Sequence, residues 1–337
     1  MYARFVQQFF AAAFSFIPFL AFSQTYPSAP ITLIVPFAAG SGTDAVARIV
    51  SQKLSERLGQ PVLVDNRPGA NGQIAAEAVA KAKSDGYTLF MTTNTSHSAN
   101  PSLYQKLRYD PVKDFTPIAR VGELPFAVVV NNSLPVKSMG ELISYAKENP
   151  GKLSYGTPNS TSLVAMETIK RITGIDVVSI PYKASPQAMT DVIGGTIQVY
   201  IPDLGSGMSM MKGERVRTLA VTTAKSSAIL PGVPPVAESV PGFDLTSWNG
   251  IFGPAGVQKS IVDRLNRELQ VVLADKESQE KLSQLGFQVW PSKSPSEFEN
   301  YVAQQLIHWT ALIKQAGISA VGNLRTSLQL CENPRNT

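Results

Sequence analysis

Apolar residues along this chain keep two rhythms. Short continuous runs at 31–35, 61–65 and 87–91 have the length and composition of buried strands. Between them, apolar positions recur every three or four residues. Val46, Ile49, Val50, Leu54 and Leu58 share one helical face, with Thr43 or Asp44 as N-cap and Gly59 as the stop. A helix over 74–83 and an Asp85-Gly86 turn lead into the third strand. The alternation then repeats. Strands are expected over 127–130, 153–156, 177–180, 199–201 and 216–221, with helices over 138–148, 163–173 and 184–194. Such strand–helix alternation predicts an α/β fold whose parallel sheets are covered on both faces. The C-terminal part reads as helical. Val262, Leu265, Leu269 and Leu273 form one face. Ser294-Pro295-Ser296-Glu297 is a capping box that opens a helix carrying Phe298, Val302, Leu306, Trp309 and Ile313, closed by Gly317.

The ends behave differently. Arg4 precedes an apolar run over 9–22 that Ser15 and Pro18 interrupt. The run is poor as a membrane span, and Ala21 and Ser23 supply small residues ahead of a cut. Residues 1–23 are therefore expected to be a secretory signal, cleaved near Ser23, with an uncleaved anchor as the other reading. The mature chain is therefore expected to be exported. Residues 321–337 carry no pattern and are expected to form a loose tail.

Composition narrows the function. The chain has 337 residues, 44% hydrophobic and 16% charged, which excludes a disordered chain and suits two domains. Its net charge of +5 is spread out, so no basic patch for nucleic acid is expected. Cys331 is alone, which excludes an intrachain disulfide. His97 and His308 are the only histidines, too few for a His/Cys metal centre, and no cofactor is expected. His308 falls on the polar side of its helix. His97 reads first as a structural histidine.

One stretch raises a chemical question. After the strand ending at Pro36 comes Phe37-Ala38-Ala39-Gly40-Ser41-Gly42-Thr43-Asp44, a glycine-rich turn without a basic side chain. It lies at the C-terminal end of a strand and at the start of a helix, where α/β proteins bind ligands. Free N–H groups and the helix dipole favour an anion there. Ser41 and Thr43 add hydroxyls. The turn is neither a P-loop, lacking its lysine, nor a GxGxxG loop, lacking its third glycine. The segment Thr157-Pro158-Asn159-Ser160-Thr161-Ser162 repeats the logic: strand, small polar loop, helix start. Two such loops facing each other would grip an anion without arginine.

Several ordered motifs carry a resemblance. They are Pro30 to Asp44, then Asp65-Asn66-Arg67-Pro68-Gly69-Ala70-Asn71-Gly72, Asp85-Gly86-Tyr87-Thr88-Leu89 and Tyr109-Asp110-Pro111-Val112-Lys113-Asp114-Phe115. Val178-Ser179-Ile180-Pro181-Tyr182-Lys183 and Pro254-Ala255-Gly256 follow in order. Over about residues 26–317 the chain resembles the tripartite tricarboxylate transporter substrate-binding receptors, the Bordetella uptake (Bug) family. The resemblance implies a periplasmic-binding-protein-like, type II fold. Two α/β domains, 26–123 plus 250–320 and 124–249, would flank a cleft, with strand crossovers near 122–126 and 247–252. It implies a monomeric receptor, not an enzyme, that hands a small carboxylate to membrane permease subunits.

The same resemblance places the site. Phe37 would wall the ligand, while Gly40, Ser41, Gly42 and Thr43 donate to it; Asp44 would be a cap that orders the loop. A second strand-end loop would bring Thr92, Asn94, Ser96 and His97, and a third Thr157, Asn159, Ser160, Thr161 and Ser162. Lys183 follows the family's Pro-Tyr pair and reads either as a solvated lysine or as an anion partner. Asp203 reads either as a cap or as the partner of a substrate amine. Ala184 stands where the family is expected to have glycine, and the segment 201–207 departs from its usual pattern, so substrate identity does not transfer. Two rivals remain: a solute sensor with the same binding chemistry, and a secreted serine hydrolase. The hydrolase lacks a GxSxG elbow.

Overall fold

A computed structural model describes residues 26–227 and 229–321. The expected signal over 1–23, Cys331 and nearly all of the C-terminal tail lie outside the described residues. Val321 is within them, and it is held, not loose: its N–H donates to the Leu103 carbonyl at 2.9 Å.

The elements follow the expected alternation. They run β1 (Ile31–Val35), α1 (Gly42–Leu58), β2 (Val62–Asn66), α2 (Gln73–Ala80), β3 (Thr88–Thr93), α3 (Asn100–Leu103), β4 (Phe115–Pro125) and β5 (Ala127–Val130). Next come α4 (Met139–Glu148), β6 (Leu153–Thr157), α5 (Ser160–Thr173), β7 (Val177–Pro181), α6 (Ser185–Gly194), β8 (Val199–Tyr200), α7 (Leu204–Lys212) and β9 (Arg217–Val221). The chain continues through β10 (Thr246–Pro254), α8 (Lys259–Ala274), α9 (Lys276–Gln284), β11 (Gln288–Val289) and α10 (Pro295–Gln315).

The strands form two sheets. The larger has the order β11-β4-β10-β3-β1-β2 and the smaller β7-β6-β8-β5-β9. The sheets are mixed, not wholly parallel as alternation alone suggests. β10 runs antiparallel to both β3 and β4, and β5 antiparallel to both β8 and β9. These antiparallel strands carry the chain between sheets. β4 passes into β5 at Pro125–Phe126–Ala127. The return comes at Leu245–Thr246, because Thr246 already pairs with Pro125 in the larger sheet. The segment 246–249 therefore pairs within the larger sheet, slightly ahead of the expected boundary at 250.

Both crossings meet at Thr222. Its hydroxyl accepts from the Phe126 N–H at 3.1 Å, and its carbonyl accepts from the Leu245 N–H at 2.9 Å.

Each sheet has apolar layers on both faces. Val46, Val50 and Leu54 of α1 join Leu265 and Leu269 of α8 on one side of the larger sheet. Ala76, Phe90, Phe115, Trp248, Phe252 and Phe298 fill the other. The smaller sheet is covered by α4 and α5 on one face and by α6 and α7 on the other. Helix α10 serves both. Ser294 caps it, accepting from the Glu297 N–H at 3.1 Å as the capping box predicts. Phe298 and Val302 lie in the core of the larger sheet, whereas Trp309 and Ile313 lie in that of the smaller.

Trp309 is thus a wall of a core that the first half of its helix does not reach. Trp309→Ala should cost about 3–5 kcal/mol of unfolding free energy, read as a lower urea midpoint at unchanged slope. A loss below about 1 kcal/mol would mean that α10 merely lies over the smaller sheet.

Candidate functional site

The first turn of α1 is built as a rigid platform. Ser41 is the N-cap, accepting from the Asp44 N–H at 3.2 Å; neither Thr43 nor Asp44 fills that place. Gly40 sits at φ 82°, a left-handed conformation that favours glycine. Asp44 instead orders the loop from inside the helix. Its carboxylate accepts from the Gly40 N–H at 2.9 Å, the Asn66 amide at 2.9 Å and Arg48 Nε at 3.1 Å. Burial alone would raise its pKa, but the hydrogen bonds from Arg48, Gly40 and Asn66 outweigh that and hold it low.

The expected third loop is shorter than its sequence suggests. Asn159 is the N-cap of α5 and accepts from the Ser162 N–H at 2.9 Å. Ser160, Thr161 and Ser162 therefore form the first helical turn, because a side-chain cap lets the helix start three residues early. This turn faces the polar segment after β3. Asn94 donates to Thr161 Oγ1 at 3.0 Å, and Ser160 donates to Thr95 Oγ1 at 2.8 Å. Ser247 of β10 donates to Asn94 Oδ1 at 2.5 Å. Residues of both sheets are thus joined by buried side-chain hydrogen bonds.

Two spaces adjoin this network. A cavity of about 20 Å³ is lined by Ser41, Thr43, Thr93, Thr95, Leu124, Phe126, Thr161, Ser185, Asp203 and Ser247. That is room for about one water molecule. A cleft of about 370 Å³ opens outward, lined by Gly69 to Gly72, Tyr104, Thr157, Pro158, Ser160, Leu163, Ser179 and Pro181 to Lys183. Phe37 and Asn159 border both spaces. Lys183 is the only charged side chain among the cleft-lining residues, and it forms no ion pair among the described residues.

The structure sorts the expected site residues. Phe37, Thr157, Asn159, Ser160 and Lys183 border the cleft, and Ser41, Thr43, Thr161 and Asp203 the small cavity. Asn94 bridges the sheets. Ser162 turns away to the Ile201 carbonyl at 2.7 Å.

Gly40, Gly42, Thr92, Ser96 and His97, expected at the ligand, border neither space. Thr92 lies on β3, whereas residues 95–99 form a single π-helical turn that sets His97 against Phe252 of β10. Thr92 and Ser96 hydrogen-bond each other. His97 is fully buried, stacked on Phe252 at 4.2 Å and close to Phe115 at 4.6 Å. Burial in this aromatic cage pushes its pKa down to about 3.

Asn71, Gly72 and Tyr104 border the cleft but were not among the expected contacts. The signal for the first two was present: 69–72 is also a glycine-rich segment between a strand and a helix. Asn71 adopts φ 54° and is fixed by Asn100, which accepts from its amide at 3.0 Å. Tyr104 had no sequence signal, since only the tertiary fold brings it to the cleft.

Asp203 caps α7, accepting from the Ser206 N–H at 2.8 Å and the Ser206 hydroxyl at 3.0 Å. Burial raises its pKa, and these hydrogen bonds offset the effect only in part.

Two mixed sheets joined by crossing strands, with small polar loops converging between them, define a solute-binding protein of the periplasmic type. The tripartite tricarboxylate transporter family receptor model matches residues 46–318. The chain belongs to that family, which is a family of receptors and not of enzymes. A relative from Bordetella bronchiseptica is 42% identical over 255 residues, covering 75% of this chain and 76% of its own. The solved structure of R. palustris Rpa4515 with adipate is 36% identical, with a TM-score of 0.85, covering 88% of this chain and all of that one. The periplasmic binding protein BugD is 33% identical, with a TM-score of 0.83 over 88% of this chain and all of its own. No helix among the described residues is long and apolar enough to cross a membrane.

The placement of His97 has a measurable consequence. Its folded pKa near 3 lies below the unfolded value of about 6.5, so the unfolded chain takes up the proton first. Its burial should therefore lower stability as pH falls from about 6.5 towards 3, by a few kcal/mol in total. Urea unfolding of wild type and His97→Gln at pH 7 and pH 4 should show a smaller loss in the variant. Equal losses would mean that the imidazole is solvated.

Proposed function

We propose that this chain is an extracytoplasmic receptor that captures a small carboxylate in the 370 Å³ cleft and delivers it to the membrane subunits of a tripartite transporter. The observation that carries the reading is the charge pattern of the cleft. Its walls bring together backbone, hydroxyl and amide groups with one lysine and no carboxylate. Such a wall has nothing to repel an anion and one cation to attract it. Adipate in the Rpa4515 structure supports the same ligand class.

On this reading Phe37 and Tyr182 supply apolar walls. Asn71, Gly72, Thr157, Asn159 and Ser160 donate to the ligand, and Lys183 sets the charge it prefers. The two sheet units move as lobes about the crossings at 125–127 and 245–246. The working form is a monomer, exported to the periplasm after loss of residues 1–23. Sealed, water-poor hydrogen bonds such as Asn94–Thr161 hold the lobes in register when the cleft closes.

A thermal-shift screen of the chain from residue 24 tests the reading. The panel holds mono-, di- and tricarboxylates, amino acids, neutral amides and sugars. A ligand at a hundred times its Kd stabilises by about 2.7 kcal/mol, a readable rise in Tm. Carboxylates should give the rise; a rise with neutral compounds alone would refute the proposed ligand class. For a carboxylate that binds, calorimetry with Lys183→Ala should show about tenfold weaker affinity, about 1.4 kcal/mol. Unchanged affinity would mean that Lys183 stays in solvent.

A further inference from the structure

The loop 69–72 lines the cleft in a conformation that its own residues do not favour. Gly69, Ala70, Asn71 and Gly72 have φ values of 131°, 47°, 54° and 82°, all positive. Among the described residues only three that are not glycine have positive φ, and Ala70 and Asn71 are two of them. An L side chain resists that region, so such a run persists only where its surroundings hold it.

Asn100 supplies the hold. It opens α3, is fully buried and borders neither the cleft nor the small cavity. Its side-chain oxygen accepts from the Asn71 amide at 3.0 Å, and its side-chain amide donates to the Asn71 main-chain carbonyl at 2.9 Å. The same amide reaches the Tyr109 hydroxyl at 3.2 Å, and that hydroxyl donates to the Ser96 carbonyl at 2.8 Å. Side chain and main chain of Asn71 are thus tied to one buried group.

We propose that Asn100 is a positioning residue, which locks the cleft wall 69–72 in place before a ligand arrives. The benefit to a ligand rests on the cleft reading above; the lock itself does not. The lock also restrains a reaction. Asn71-Gly72 is one of two Asn-Gly pairs in the chain, the other being Asn249-Gly250. In such a pair the glycine nitrogen bonds to the asparagine Cγ, and its proton leaves with the side-chain amide as ammonia. One water then opens the succinimide to aspartate or isoaspartate. At 71–72 the attack is opposed, because the Gly72 N–H donates to the Gly69 carbonyl at 2.9 Å and the carboxamide is held on Asn100. A wall that lost its amide would carry a negative charge and repel an anion. Asn249 is fully buried in β10, remote from this lock in the sequence, and serves as the internal control.

The test incubates the chain from residue 24 without ligand at mildly alkaline pH and follows ammonia loss at both pairs by peptide mass spectrometry. Asn100→Ala should speed the reaction at Asn71 roughly tenfold over wild type and leave Asn249 unchanged, since the lost hydrogen bonds free the loop alone. Asn100→Ser keeps a polar group beside Tyr109 but ends short of Asn71. It should act likewise, and it serves if the alanine variant does not fold. Tyr109→Phe removes the tie to Ser96 and spares Asn71, so it should match wild type at both pairs. Equal rates at Asn71 in wild type and the Asn100 variants would overturn the lock. So would equal acceleration at Asn71 and Asn249, the mark of a globally loosened fold. Calorimetry on the same proteins, with adipate or another carboxylate of the panel that binds wild type, reads the benefit to a ligand. Affinity should fall roughly tenfold in the Asn100 variants and hold in Tyr109→Phe. Unchanged affinity beside faster ammonia loss would overturn the positioning role. Faster loss at Asn71 with no carboxylate bound by wild type keeps the lock and removes the ligand class.

Discussion

The carboxamide of Asn94 is the pivot on which the arrangement turns. Its amide group reaches Thr161 in one unit, and its oxygen receives Ser247 from the other side. A buried amide left without partners costs about as much as a lost hydrogen bond, and more when water cannot reach it. The segment after β3, the start of α5 and the strand β10 are therefore held at fixed spacing around one side chain. The cleft inherits that spacing. Phe37 and Asn159 border both the inner cavity and the outer cleft.

Much of this was legible because it is local. The run Ile31 to Val35, the glycine turn and the apolar face of α1 are fixed by neighbours in sequence. So are the capping box at Ser294 and the stop at Gly59. The crossing strands were not legible in this way. β4 contains Pro117, Arg120, Gly122 and Glu123, which break any strand-like alternation. Its pairing with β10 is made by residues more than a hundred positions away. Arg120 is tolerated there because it lies between the rings of Trp290 and Tyr301, with centroid distances of 3.7 and 4.3 Å. None of those partners is adjacent in sequence.

The site divides along the same line. The turn at Gly40 could be read from small polar residues between a strand and a helix, whereas the cap at Asn159 starts its helix earlier than the loop-like sequence suggests. The side chains of 92–97 could not, since Thr-Thr-Asn-Thr-Ser-His reads as a polar loop. In the fold it becomes a buried turn beneath an aromatic cluster. A histidine in such a cage is a neutral aromatic ring, and its chemistry as a base is lost to desolvation. Asp203 shows the opposite limit. Its residue type allowed both a cap and a binding role; the fold makes it the cap of α7, with its side chain at the small cavity.

Helix α10 has a consequence in time. It is the last of the described helices to leave the ribosome, yet Phe298 closes one core and Trp309 the other. Neither core has all its walls until nearly the whole chain has been made, and closing them spans loops of more than a hundred residues. Closure across such distances is entropically slow. A nascent chain of this design stays unsealed through most of its synthesis, and an unsealed chain is the form that can still be threaded, residue by residue, through a narrow pore.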